Sequence, residues 1–400
     1  MVKKIGILTY CEFPEGMAPT TRILAYSKGL VDNNVKVEIF SFKRIYNDRS
    51  NNIAKSGKVN GAGYTYLHIF HSLSKKIRIL RIFDEIILRI NLILKIRRSG
   101  KHLPFDCFFI SFDDNHSFAA YLKLFSFFRI PLIFVADEFP IPIRDFMKDE
   151  VPEPILIKYK HYHKRFKARI LMSDSLKDFY NKYVIAKPTF ILNTIIDTSR
   201  FSTTTISEDN HNSIICYMGN MDLRKDNVQN IIEAFSLIQN KFPDIELHLY
   251  GIPSEEHFSY LQNRVHFLKL EGKVHFKGKA SYNEVPNILA SSKILVNSQP
   301  ITKRAQGGFP TKLGEYLLSS RPSIFTDSGD IGMYIQDGVH AFIAPPENPI
   351  AFAEKIVYIL ENDLLSEIVA TNGEKYIREN FDSIHQAKKL ISFLEETLHN

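Results

Sequence analysis

Four hundred residues exceed what one ordinary hydrophobic core organises and suit two domains of about 200 residues each. An apolar fraction of 44% with a charged fraction of 24% excludes the disordered and collagen-like classes. The net charge of +7 is unevenly held, with +14 on residues 1–195 and −7 on residues 196–400, so one half suits an anionic partner. Cys11, Cys107 and Cys216 lie far apart and match neither a metal-ligand spacing nor a disulfide framework, as expected of reduced thiols in a cytoplasmic protein. MVKKIGILTY enters a strand directly rather than a secretory signal, and no stretch reaches the roughly 18 apolar residues of a membrane span.

The chain opens as β-loop-α-β. Lys4–Thr9 is a short apolar strand, and Tyr10–Pro19 is a turn-rich loop. Thr20 is placed to cap a helix running through Leu30, and Val35–Phe40 alternates as the next strand. Further strands are expected at Tyr64–Ile69, Cys107–Ser111, Leu132–Ala136, Ile170–Ser173 and Thr189–Leu192. Helices are expected at Phe118–Phe128 and Ile155–Lys167. Ser202–Asn212 is polar and reads as a linker, after which the alternation restarts. Strands at Ile214–Met218, Glu246–Tyr250, Val274–Phe276, Ile294–Asn297 and Pro322–Thr326 alternate with helical stretches, the first being Asn227–Lys241. Two successive α/β units imply two doubly wound parallel sheets with a ligand cleft at the carboxyl ends of their strands.

Ser74–Arg98 stands apart. Its Ile, Leu and Phe recur at helical spacing, and eight Lys and Arg residues face only Asp84 and Glu85. Such a basic amphipathic helix suits an anionic membrane surface, and it equally suits a helix packed on the sheet with its bases solvated. Lys158–Arg169 adds a second basic patch in the same half. No nucleic-acid-binding module is recognisable, so nucleic acid is not expected as a partner.

The most informative stretch is Gln306–Pro322, QGGFPTKLGEYLLSSRP. A glycine-rich turn lets the backbone approach a ligand, and a helix starting near Pro310 offers free amides to a phosphate. Glu315, about one turn inside, can accept hydrogen bonds from paired sugar hydroxyls. This segment resembles the donor-binding segment of glycosyltransferase family 4, the retaining enzymes with the GT-B fold. The second glutamate of that family's pair matches Glu315, whereas the first falls on Gly307, which resembles the subgroup with a Pro-Thr-Lys-Leu-x-Glu-Tyr motif, here Pro310–Tyr316. YMGNMDLRKD, Tyr217–Asp226, is similar to the segment that holds the donor pyrophosphate; Lys225 matches its lysine, Asn220 stands at its arginine, and Arg224 lies beside the lysine. FPEGMAPTTR, Phe13–Arg22, resembles the loop after the first strand, with Gly16 in place and Met17 where a second glycine is common. ILNTIIDTSRF, Ile191–Phe201, resembles the interdomain segment, with Asn193 and Asp197 matching.

The resemblance implies an α/β GT-B fold, two Rossmann-like doubly wound domains facing each other across a cleft. Domains are expected over 1–195 on the acceptor side and 196–380 on the donor side, with a C-terminal helix over 381–400 crossing back. It implies a metal-independent, hexosyltransferase-type retaining transfer from a nucleoside-diphosphate sugar, with no cofactor and no metal. The acceptor would be a saccharide, lipid-linked at the inner face of the membrane, in surface polysaccharide synthesis. Glu315 would bind ribose, Lys225 would steady the diphosphate, and Gly308, Phe309, Pro310, Thr311 and Leu313 would line the donor site. Asp137 stands where many members place a histidine; it either orients or deprotonates the acceptor, or caps the next element. His116 is a further acceptor-side candidate, while Asp113 and Asp114 form no convincing metal motif. A GT-B-fold UDP-sugar epimerase and a non-catalytic nucleotide-sugar-binding protein remain as alternatives at this point.

Overall fold

The computed structural model describes residues 1–16, 18–43, 54–68, 78–111, 118–140, 152–202, 213–309 and 311–399. Three of the expected site residues, Met17, His116 and Pro310, lie outside them, as do 74–77, Asp113, Asp114 and nearly all of the expected linker. The chain forms two compact units: one of Met1–Pro142, Lys148–Ile195 and Ser383–Asn400, the other chiefly of Ile196–Asp382.

The first unit is built on β1 (Lys4–Thr9), β2 (Lys36–Ser41), β3 (Ser56–Val59), β4 (Ala62–Tyr66), β5 (Cys107–Ser111), β6 (Leu132–Ala136), β7 (Ala168–Leu171) and β8 (Thr189–Ile191). They form one sheet in the order β3-β4-β2-β1-β5-β6-β7-β8. Every pairing is parallel except the β3–β4 hairpin. All six residues of β1 are buried, as expected of a parallel strand covered on both faces. The hairpin is absent from the sequence reading, although its Asn60-Gly61 turn is the dipeptide that a two-residue turn with two positive φ angles selects.

The helices of this unit are α1 (Ala18–Asp32), α2 (Arg78–Gly100), α3 (Phe118–Phe128), α4 (Glu153–His163), α5 (Asp174–Phe179) and, from the end of the chain, the helix Ser383–His399. Helix α1 starts two residues before Thr20; Pro19 sits in its first turn, where proline costs no hydrogen bond. Thr20 Oγ1 donates instead to the Glu12 carbonyl at 2.9 Å. Two cations are buried within the sheet and satisfied there. Lys4 Nζ donates to the carbonyl and hydroxyl of Ser99 at 2.6 Å each and pairs with Glu38 at 3.1 Å. Arg169 donates to the Ile185 carbonyl at 2.7 Å and lies over the Tyr180 ring; burial pulls its pKa down to about 10.

The second unit carries β9 (Ile214–Met218), β10 (Glu246–Tyr250), β11 (Val274–Gly278), β12 (Ile294–Asn297), β13 (Ser323–Thr326) and β14 (Phe342–Ala344). Its sheet runs β11-β10-β9-β12-β13-β14, all parallel. The helices are α6 (Val228–Ile238), α7 (Glu255–Phe267), α8 (Val285–Ala290), α9 (Lys303–Gly307), α10 (Thr311–Leu318), α11 (Ile331–Tyr334), α12 (Pro349–Glu361) and α13 (Asp363–Asn380); the chain-terminal helix of the first unit is α14. Val228, Ile231, Ile232, Phe235 and Ile238 form the buried face of α6 and meet Phe352, Ile356 and Ile359 of α12 in one core cluster. In each sheet the strand order reverses beside the first strand of the unit, at β1/β5 and at β9/β12, the switch points where open α/β sheets bind ligands.

Helices α1 and α14 approach so closely that a Cβ built on Gly29 would lie 2.0 Å from the Ser383 carbonyl oxygen and 2.9 Å from Ala387 Cβ. Alanine favours a helix over glycine by up to about 1 kcal/mol, whereas overpacking against backbone costs about 1–3 kcal/mol. The clash wins because a carbonyl cannot rotate aside. Gly29→Ala should therefore destabilise the fold by about 1–2 kcal/mol net, read as a lower urea midpoint with an unchanged denaturant slope.

Candidate active site

Three strands of the second unit end in glycine, and the three glycines stack. Gly219 follows β9, Gly251 follows β10 and Gly278 closes β11. Gly219 N donates to the Tyr250 carbonyl at 2.9 Å, and Gly251 N donates to the Gly278 carbonyl at 2.8 Å. A Cβ on Gly251, whose φ is +143°, would fall 1.6 Å from the Gly219 carbonyl oxygen. No side chain fits between these turns, so bare backbone lies at the carboxyl ends of the strands.

The loop after β9 is shaped by its own polar groups. Asn220 Oδ1 accepts from Asp222 N at 3.1 Å, and the chain turns through Met221 at φ +54°. Lys225 N and Asp226 N then donate to the Asp222 carbonyl at 2.8 and 2.6 Å, closing a helical turn that leads into α6. Asn220, at the position of the family arginine, thus serves the turn. Asp222 accepts from Arg224 three times: from N at 3.1 Å, Nε at 3.0 Å and Nη2 at 2.9 Å. These bonds hold the Asp222 carboxyl down to about 2, with Arg304 Nη1 adding a further cation at 3.9 Å. Lys225 is half-buried on the same turn.

Helix α10 brings a cation that the sequence reading did not name. Lys312 Nζ lies 2.8 Å from Asp226 Oδ1, 3.5 Å from Tyr217 Oη and 4.9 Å from the centre of the Tyr217 ring. A Cβ on Gly219 would stand 2.4 Å from this nitrogen, so the ammonium sits directly against the glycine turn. One turn on, Tyr316 is fully buried and its hydroxyl accepts from Met218 N at 2.8 Å, tying the helix to the end of β9. The signal for Lys312 lay in the Pro-Thr-Lys-Leu-x-Glu-Tyr run itself.

Glu315 projects from the same helix, and its Oε1 accepts from Arg200 Nη1 at 2.6 Å. Arg200 also donates from Nη2 to the Tyr282 carbonyl at 2.7 Å and stacks 3.6 Å from the Tyr282 ring centre. Burial raises the Tyr282 hydroxyl to about 12. Arg200 lies in the short helical turn Thr198–Phe201, which Asp197 caps by accepting from Ser199 N at 3.2 Å. Arg200 belongs to the quoted interdomain motif, yet only the folded chain sets it against Glu315.

Two residues of the expected donor stretch turn their side chains inward. Phe309 is 4% exposed and packs edge-on against Tyr334, and Leu313 is fully buried. Their side chains belong to the core, which leaves backbone for a ligand at these positions. Gly308 is extended after α9, and its carbonyl would lie 2.8 Å from a Cβ on Gly329, so the segments around Gly308 and Gly329 are closely opposed. Thr311 begins α10.

In the first unit, a Cβ on Gly16 would meet Thr20 Oγ1 at 2.2 Å, so this glycine makes room for the start of α1. Asp137 Oδ1 lies 3.0 Å from Arg22 Nε, while Arg22 Nη1 donates to the Asn193 carbonyl at 2.8 Å and Nη2 to that of Leu192. Asp137 therefore holds a buried guanidinium, a contact outside both roles expected of it. Asn193 Nδ2 donates to the Met172 carbonyl at 3.0 Å.

Comparison with known proteins agrees with this architecture. The chain superposes on sucrose-phosphate synthase from Thermosynechococcus elongatus with a TM-score of 0.76 and 13% identity, over 98% of each chain. Anabaena HepE in complex with UDP and glucose gives 0.70 and 14%, over 98% of this chain and 100% of that one. The pneumococcal O-GlcNAc transferase GtfA in complex with UDP and GlcNAc gives 0.70 and 12%, over 100% of both. The chain thus has the GT-B fold. Residues 212–362 match the family Glycosyl transferases group 1, so the second unit carries a domain of that type. An uncharacterized glycosyltransferase of Methanocaldococcus jannaschii is 28% identical over 102 residues, which are 26% of this chain and 28% of that protein.

The Asp222 carboxylate gives the site a pH signature. Its folded pKa of about 2 lies below the ordinary 3.8, so its contribution to stability is complete above about pH 4 and is lost as pH falls towards 2. Asp222→Asn should be less stable than the parent at pH 7, and thermal melts between pH 7 and pH 2 should show the difference shrinking below about pH 4.

Proposed function

We propose that the protein is a retaining glycosyltransferase that moves a sugar from a nucleoside diphosphate, and that the second unit holds the donor. The observation that carries this reading is α10, which sets Lys312 against the bare Gly219 turn and Glu315 one turn further on. Lys312 and Lys225 supply cations for the diphosphate, aided by the backbone amides at the start of α10. As the glycosidic bond breaks, charge builds on the diphosphate oxygens, and these preorganised groups stabilise it there. Arg200 takes one oxygen of Glu315, and the remaining lone pairs suit the two ribose hydroxyls. The same arginine reaches the Tyr282 carbonyl, which supports assigning the reading of the base to this loop. The match of residues 212–362 supports the class of reaction. HepE and GtfA, solved with UDP, support a uridine donor as the first to try.

The donor reading is tested by thermal stability against UDP-, GDP-, ADP- and dTDP-sugars, with and without EDTA. A true donor at 100 times its Kd should raise stability by about 2.7 kcal/mol, unaffected by the chelator. Glu315→Gln and Arg200→Ala should each weaken donor binding roughly 10- to 100-fold, the worth of one charged hydrogen bond. Failure of every donor overturns the proposal, and binding without sugar transfer reduces the protein to a nucleotide-sugar-binding protein.

The acceptor proposed is a lipid-linked saccharide reached at an anionic membrane surface. Helix α2 buries Leu88, Leu92 and Ile96 on one side and exposes Phe83, Ile86, Ile90 and Leu94 on another. Exposed Arg97 and Arg98 end this second apolar stripe, a combination that suits shallow insertion among anionic headgroups. No helix among the described residues is long and apolar enough to cross a membrane. Vesicles containing phosphatidylglycerol should sediment the protein at low salt, and neutral vesicles should not. Ile86→Glu combined with Ile90→Glu should abolish that binding while leaving the donor thermal shift intact.

A further inference from the structure

Glu246 and His248 stand two residues apart on β10, and His275 faces them from the edge strand β11. Parallel pairing sets His248 beside His275 in register, and alternation puts all three side chains on one face of the sheet. That face is opposite Leu247, Leu249 and Val274, which lie in the core. We propose that these three residues form a zinc site in the second unit.

The spacing fits the ion. Glu246 Oε2 lies 3.0 Å from His248 Nε2 and 3.3 Å from His275 Nε2, and one ligand atom from each residue falls within 4.8 Å of the others. Tetrahedral zinc, with bonds of about 2.0–2.1 Å, keeps its ligands about 3.3 Å apart. His275 Nε2 is closed to solvent and makes no well-aligned hydrogen bond, and an ion among the three ligand atoms satisfies it. Two imidazoles and one carboxylate are a zinc donor set, whereas calcium and magnesium select oxygen ligands. A water completes the coordination.

The place of the site assigns its role. Glu246 begins β10, and the glycine turns leave the other end of the strands, about 16 Å from Glu246 and about 10 Å from the two histidines at 3.3 Å per residue. The ion therefore takes no part in sugar transfer and instead clips the edge strand to its neighbour. Lys273, whose Nζ donates to the Pro243 carbonyl at 2.7 Å, and Lys277 flank the cluster and weaken its hold on a cation. The proposal is independent of the donor reading.

Untagged, metal-stripped protein titrated with Zn2+ against a chromophoric chelator should bind one equivalent. Co2+ in its place should give the visible absorption of a four-coordinate ion. His248→Gln and His275→Gln should each weaken binding at least about tenfold, with circular dichroism and any donor thermal shift unchanged. No uptake of Zn2+ by the folded parent, or equal uptake by the doubly substituted protein, overturns the site.

Discussion

The close approach of backbone at the ends of β9 and β10 is the constraint on which the second unit's site depends. The Gly219 carbonyl occupies the space where any residue but glycine at 251 would place its Cβ, and the Lys312 ammonium occupies that space at 219. With no side chain of their own, the two glycines present peptide as the floor of the site, over which the Lys312 ammonium and the Tyr217 hydroxyl lie. Helix α10 can then lie across it, with Tyr316 anchored to β9 and Lys312 and Glu315 placed one turn apart. A side chain at Gly251 would collide with the Gly219 backbone, and one at Gly219 would displace the Lys312 ammonium.

The cations around this floor are already partnered in the folded chain. Lys312 meets Asp226, Arg200 meets Glu315, and Arg224 meets Asp222. Such pairing holds long side chains in place, and it stops a cluster of like charges from destabilising the unit. In the proposed reaction a diphosphate enters among groups whose positions are fixed, which is what electrostatic catalysis requires. The first unit uses the same device around Arg22, where Asp137 and two carbonyls hold one guanidinium between the first helix and the segment after β8. Among the described residues, the exposed Arg97 and Arg98 carry part of the excess positive charge of residues 1–195.

Much of this was legible in the sequence because it is local. Parallel strands buried on both faces are continuous apolar runs, so β1, β5, β6, β9, β10 and β12 have the bounds that their residues suggest. Glycine after β9 and β10 and a glycine-rich turn before Thr311 are likewise consequences of backbone geometry that only certain residues permit. The family resemblance rested on these same runs. Two strands were not legible: β3, SGKV, is mostly exposed and lacks the apolar run of a buried strand, and β14 has only three residues.

What the sequence could not determine are contacts between residues distant along the chain, because these depend on how the elements pack. Phe309 and Leu313 sit in the stretch expected to bind the donor, and burial assigns their side chains to the core. Asp137 stands where the resemblance leads one to expect a histidine, and packing gives it Arg22 as a partner. Arg200 and Glu315 are 115 residues apart and Glu246 and His275 are 29 apart, so no local pattern announces either pairing. Composition and periodicity determined two α/β units, the second with glycines at two of its strand ends. Tertiary structure alone decided which charges meet there, because strand register and helix docking set those distances.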